Sequence, residues 1–153
     1  MAYVDIITYF LNNFDISGHT LAMIKNFFTC GLVGWCLEIM FTAANGLKNR
    51  DFKLKGNTSL WMFPIYGMAA FFKPAYRFIK KWPVPFRGAF YTVCIFATEF
   101  LTGSALKKRK LCPWNYESSP YNIDGVIRID YAPYWFGTGL LYEYILNRRK
   151  SKN

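Results

Sequence analysis

Apolar residues run along the chain in four blocks, separated by connections rich in basic residues, proline and glycine. Phe27–Ala44 carries one formal charge, Glu38, and Gly88–Leu106 carries one, Glu99. Crossing a bilayer core about 30 Å thick takes roughly 20 apolar residues in a helix that rises about 1.5 Å per residue. Both blocks come close to that length. Leu60–Phe72 is apolar without interruption but short, and it reaches spanning length only by continuing through Lys73, Pro74 and Arg77 to Ile79. Long basic side chains can carry their charges to the interface, so the extension is tolerable. Tyr131–Leu146 is also short and holds Glu143. The pattern predicts an all-α polytopic membrane protein, a four-helix transmembrane bundle with spans over residues 20–44, 59–79, 87–107 and 132–147 in a single membrane domain over 1–153. Ahead of it, Val4, Ile7, Leu11 and Phe14 recur at helical spacing opposite Asp5, Asn12 and Asn13. This predicts an N-terminal amphipathic helix over 2–14, lying in the interface or packed on the bundle. No basic region precedes an apolar run there and no cleavage pattern follows, so the segment does not read as a signal peptide.

Charge sharpens the picture. The 153 residues include 19 Lys and Arg against 9 Asp and Glu, a net charge of +10. The basic residues collect at block borders, at Lys48 to Lys55, Lys80 to Arg87, Lys107 to Lys110 and Arg148 to Lys152. A nucleic-acid surface would not be parcelled out between apolar runs of spanning length, so anionic membrane lipids are the expected partner and nucleic acid is not. With four spans the basic residues divide 10 against 9 between the two sides, so the positive-inside rule sets no orientation. At 53% hydrophobic and 20% aromatic the chain is no disordered protein. Cys30, Cys36, Cys94 and Cys112 show no disulfide or zinc spacing, and His19, at the turn after the amphipathic segment, is the single histidine. Neither a metal site nor a cofactor is expected.

The three acidic residues inside apolar blocks carry the most chemistry, because a carboxylate near the bilayer centre costs about 2.5–3.5 kcal/mol on insertion scales. Each lies on a helical stripe of small or polar residues: Glu38 with Gly31, Gly34 and Thr42, Glu99 with Thr92, Thr102 and Gly103, and Glu143 with Gly139. Small residues allow helices to approach closely, so these faces point into the bundle. A carboxyl deprived of water there binds a proton or a cation, acts as a general acid or base, or joins helices by hydrogen bonds. Pro64 removes a helix hydrogen bond and Gly67 follows, so Pro64, Tyr66 and Gly67 are candidate pocket-lining residues or a simple kink. Asn57 and Ser59 are candidate caps for the second span. The third loop, Leu111–Tyr131, is long, aromatic and lightly charged. It reads either as an interfacial aromatic belt or as an ordered lid over a cavity, with a turn at Asn122–Gly125 and an extended Val126–Tyr131.

Gly34-Trp35-Cys36-Leu37-Glu38, Gly56 with Pro64-Ile65-Tyr66-Gly67, Glu99 with Thr102-Gly103, Cys112-Pro113-Trp114-Asn115-Tyr116 and Pro120 to Ile127 resemble the ABC-transporter type IV (CmpB-like) family of bacterial membrane proteins, and more closely its eukaryotic relatives, the transmembrane protein 229 group. The likeness runs from about Gly34 to Tyr144. It implies a polytopic protein of the bacterial plasma membrane without an established activity. The family motif reads Cys-Pro-Trp-Asp-Tyr where this chain has Asn115, so no carboxylate acts at that position. No GxxxxGK[ST] phosphate loop occurs, and ATP drive would come from a separate ATPase subunit or larger membrane partner. Four short spans also imply a homo-oligomer. The expected function is permease-like transport with Glu38, Glu99 and Glu143 binding a proton, cation or substrate. The alternatives are an intramembrane enzyme acting on a lipid or isoprenoid, and an accessory subunit. The absence of a Ser-His or Cys-His pairing weighs against the enzyme.

Overall fold

The computed structural model describes residues 18–48, 50 and 52–148. The amphipathic helix predicted over 2–14 lies outside them. Helix α1 (Gly18–Lys48) has 31 residues. His19 sits in its first turn, rather than in a turn before it. The second apolar block is not one continuous α-helix over 59–79. It forms α2 (Met62–Gly67), a 3-10 turn (Met68–Phe71) and α3 (Phe72–Ile79). The reason lies in the prolines. Pro64 falls in the first turn of α2, where backbone N–H groups have no intrahelical partner in any case, so it breaks nothing. Pro74 is the disruptive one: in a continuous helix its ring would collide with the carbonyl four residues earlier, at Ala70. The tighter 3-10 turn occupies that stretch.

Helix α4 (Val84–Lys108) has 25 residues and begins with Pro85 in its first turn, where the missing N–H is harmless. Lys107 and Lys108 close it, on the end where the helix dipole favours cations. A two-stranded antiparallel hairpin follows, β1 (Asn122–Ile123) with β2 (Ile127–Arg128), with Ile123 opposite Ile127. Asp124 and Gly125 adopt positive φ, 51° and 68°, the pairing that a type I′ turn requires. A 3-10 turn (Ile129–Tyr131) leads into α5 (Ala132–Arg148), of 17 residues.

The helices pair as α1 with α2 and α4 with α5, and α3 packs on α5 to join the two halves. Close contact depends on rings seated on glycines: Tyr66 lies against Gly34, and Tyr91 against Gly139. One core gathers Cys30, Phe72, Ile79, Tyr91, Tyr142 and Leu146, with the Tyr142 hydroxyl donating to the Cys30 carbonyl at 3.1 Å. A second gathers Met62, Tyr66 and Trp135.

Among the described residues, the segments long and apolar enough to cross a membrane are Gly18–Ala44 and Val84–Lys108. Only 17% and 22% of their most apolar windows are buried within the protein. The core helix of a water-soluble protein would be mostly buried. Here Phe28, Leu32, Met40, Val93 and Leu101 stand exposed, an apolar surface that water would penalise and lipid would not. The helical architecture and these two helices agree with the expected membrane class.

A side chain at position 34 would overlap Cβ and Cγ of Tyr66, atoms too close to the backbone to swing aside. Gly34→Leu is expected to destabilise the protein by about 1–3 kcal/mol, read as a lower midpoint of denaturation in detergent.

Candidate binding cavity

Where α1 ends, α4 ends and α5 begins, the helices part around a cavity of about 390 Å³. Glu38 enters it from α1, Glu99 from α4, and Tyr134 and Trp135 from α5, while Pro113 to Tyr116 of the third loop close the other side. Among the described residues, no Lys or Arg lines it. In a chain of net charge +10, its formal charges are two carboxylates.

The first loop is fastened to α1 along one wall. The Trp35 indole N–H donates to the Ser59 carbonyl at 3.0 Å, the Asn57 N–H donates to Thr42 Oγ1 at 2.8 Å, and the Thr58 hydroxyl donates to Glu38 Oε2 at 2.8 Å. Gly56 makes this approach possible, since a Cβ there would come within 2.5 Å of the Ile39 carbonyl oxygen. Among the described residues, Glu38 is held by this one neutral donor.

Glu99 is more deeply placed, only 6% exposed. The Trp135 indole stands beside it, yet among the described residues neither Glu99 Oε2 nor Trp135 Nε1 has a hydrogen-bond partner. Buried polar atoms are rarely left so. Glu99, Met62, Tyr66 and Trp135 also border a smaller apolar pocket of about 50 Å³, lined deeper in by Ile65, Ala69, Phe72 and Ile95. Glu99 therefore borders both the larger, partly polar cavity and the smaller apolar one.

The third loop is ordered from within. The Asn115 Oδ1 accepts the Glu117 N–H at 2.9 Å, Asn122 Oδ1 accepts the Gly125 N–H at 2.9 Å, and the Tyr116 N–H donates to the Gly125 carbonyl at 2.8 Å. The Trp114 indole donates to the Val126 carbonyl at 3.0 Å, and the pair rests on Gly103 of α4. Lys107 of α4 donates to Glu117 Oε1 at 2.6 Å and to the Asp124 carbonyl at 2.8 Å. That ammonium holds the Glu117 carboxyl below its ordinary range, and burial pushes the Tyr116 phenol above its own. Asn115 serves the loop through its amide oxygen, a task that asks for no carboxylate.

Of the residues singled out in the sequence, Glu38, Asn57, Tyr66, Glu99, Pro113, Trp114, Asn115 and Tyr116 meet at the cavity. Others do different work. Gly34 packs under Tyr66, Gly67 under Phe27 and Gly103 under Trp114, while Pro64 is exposed and Thr102 donates back to the Thr98 carbonyl at 2.6 Å. Cys112 borders a separate pocket with Lys107 and Lys110, and Asn122 and Gly125 shape the hairpin. Glu143 must be corrected. It lies toward the other end of α5 from the cavity, and among the described residues it pairs with Arg87. The guanidinium Nε meets Glu143 Oε2 at 3.0 Å, the Tyr91 hydroxyl donates to the same oxygen at 2.8 Å, and Arg87 also reaches the Trp82 carbonyl at 2.7 Å. A carboxylate so satisfied joins α4 to α5. Sequence reasoning missed Phe41, Tyr131, Tyr134 and Trp135, although the last three recur at the i, i+3, i+4 spacing that puts residues on one helical face.

A helical protein with two long, outward-facing apolar helices and a cavity of carboxylates and aromatic rings belongs to the membrane-associated class and suits a transport role. The chain belongs to the family described as Putative ABC-transporter type IV, whose model matches residues 25–152. That match contains every cavity residue named above. No solved structure matches the chain.

Two measurements check this geometry. Glu143→Gln removes the charge that Arg87 and Tyr91 share and is expected to cost about 1.5–3 kcal/mol of stability, again read by denaturation in detergent. Because the folded-state pKa of Glu117 lies below its unfolded value of 4.5, its tether stabilises the loop above that pH and is lost as the pH falls through the lowered value. Hydrogen exchange across residues 111–131, corrected for intrinsic rates, is expected to quicken below about pH 4.5 in the native chain and to be fast at neutral pH in Lys107→Met.

Proposed function

We propose that the protein is a four-helix membrane transport protein in which Glu38 and Glu99 bind a proton or cation while substrate occupies the cavity beneath the third loop. One observation carries this reading: carboxylates from two different helices line the same cavity, with no basic residue among its described lining, in a chain that is otherwise strongly cationic. Two carboxylates in such a site repel each other and lack the hydration water would supply, so binding a proton or a cation relieves both penalties.

Membrane placement follows from the same helices. Glu38 stands six residues before Ala44, the end of its apolar segment, about 9 Å along a helix. Glu99 stands nine residues before Lys108, about 13 Å. The cavity then belongs to one leaflet, close to an aqueous face, rather than to the mid-plane. Lipid covers the exposed apolar helix faces, and a second copy completes the conduit that four helices alone leave too narrow. Any ATP-driven step falls to a separate subunit. Against an acid-base enzyme of the usual kind stands the lining itself, which holds neither His nor Cys.

Protein reconstituted into liposomes with a trapped pH-sensitive or sodium-sensitive dye tests the reading. Wild type is expected to show cation flux, and Glu38→Gln and Glu99→Gln each to lower it at least about tenfold while remaining inserted and folded. Wild-type flux in both variants would remove the basis of the proposal.

A further inference from the structure

We infer that the cation for which this cavity is built is an alkylammonium, a nitrogen bearing alkyl groups, rather than a bare metal ion or a proton alone. The inference rests on the carboxylate reading above and deepens it by naming the ligand chemistry. Its evidence is a different feature, the aromatic wall. Trp135, Tyr134 and Phe41 follow one another with ring centroids 4.9 and 4.8 Å apart, and Trp114 and Tyr116 face them from the loop side of the same cavity. Tyr131 extends the wall, but the Arg128 guanidinium already sits 4.4 Å over its ring, paired in turn with Asp130 at 2.8 Å. That internal contact shows one ring of this wall engaging a cation by its face.

Hard metal ions call for a close shell of oxygen ligands that replaces their hydration. Beside its carboxylates, hydroxyls and amides the lining carries seven aromatic rings, and about 390 Å³ of space far exceeds such an ion while matching a small organic ligand. A substituted ammonium has the opposite needs. Its charge is spread over alkyl groups, it surrenders water easily, and it gains from aromatic faces and from carboxylates that need not touch it. The remaining features fit the same ligand. Glu99 is buried with Oε2 unpartnered among the described residues and also borders the apolar pocket of about 50 Å³, so the cationic head would sit between Glu38 and Glu99 while a short alkyl substituent enters that pocket.

The test uses the full chain purified in dodecyl maltoside, which carries no ammonium group. Tetramethylammonium, choline and the uncharged choline isostere 3,3-dimethylbutan-1-ol are titrated by calorimetry at constant ionic strength, with lysophosphatidylcholine as the lipid-borne form of the same group. Choline or lysophosphatidylcholine is expected to bind saturably, at least about tenfold more tightly than the neutral isostere. Glu99→Gln is expected to weaken binding about tenfold, Tyr134→Leu about fivefold or more, and Tyr134→Phe to retain it, because phenylalanine keeps the ring face. Preference for the lipid-borne form would assign a headgroup ligand, and preference for free choline a solute. Equal binding of the isostere, or wild-type binding in both Glu99→Gln and Tyr134→Leu, would overturn the ammonium assignment. If no ammonium binds but liposome flux still depends on Glu38 and Glu99, this inference falls and the broader cation reading stands. If the flux is also indifferent to both glutamates, both fall together.

Discussion

Helices whose outer faces are apolar, in surroundings that are apolar too, gain little from the hydrophobic effect when they meet, and close van der Waals contact must hold them instead. In this protein that contact takes one recurring form, an aromatic ring resting on a glycine of the opposing helix. Tyr66 covers Gly34, Tyr91 covers Gly139, Phe136 covers Gly88 and Phe27 covers Gly67. The arrangement supplies adhesion and placement together. Tyr66, resting on α1, lines the cavity, and Tyr91, resting on α5, brings its hydroxyl to Glu143. The polar sites at the two ends of the bundle both depend on rings positioned in this way.

Charge follows a complementary division. Basic side chains mark the ends of the helices, while two carboxylates occupy the interior of one end. A field of this shape draws cations past a positive rim only where a weakly hydrated charge and apolar groups offset the repulsion. The cavity's lid is fastened to α4 through Lys107 and to itself through Asn115 and Asn122, so loop and helix form one unit.

Much of this was legible in the chain. The apolar blocks marked the helices because hydropathy over 20 residues is a strong signal, and the stripes of small residues marked the faces that pack. Glu38 and Glu99 were found because a carboxylate in an apolar run needs an explanation. Glu143 looked identical by that criterion, and only the fold reveals that Arg87, 56 positions earlier, satisfies it. Local pattern carries no information on partners so distant. Pro64 and Pro74 show the same limit in reverse: which proline disrupts a helix depends on where that helix begins, a boundary that sequence places poorly. The aromatic wall was overlooked since Tyr and Trp near helix ends also read as ordinary interfacial residues.

The Arg87, Glu143 and Tyr91 cluster stitches α4 to α5 at the end remote from the cavity, and the stitch makes a lever of α4. Twelve residues separate Arg87 from Glu99, roughly 18 Å of helix. A tilt of about 5° around the stitched end would displace Glu99 by roughly 1.6 Å over that arm, carrying the hairpin with it through Lys107. A bundle sewn at one end thus needs no unfolding and no broken ion pair to gape at the other.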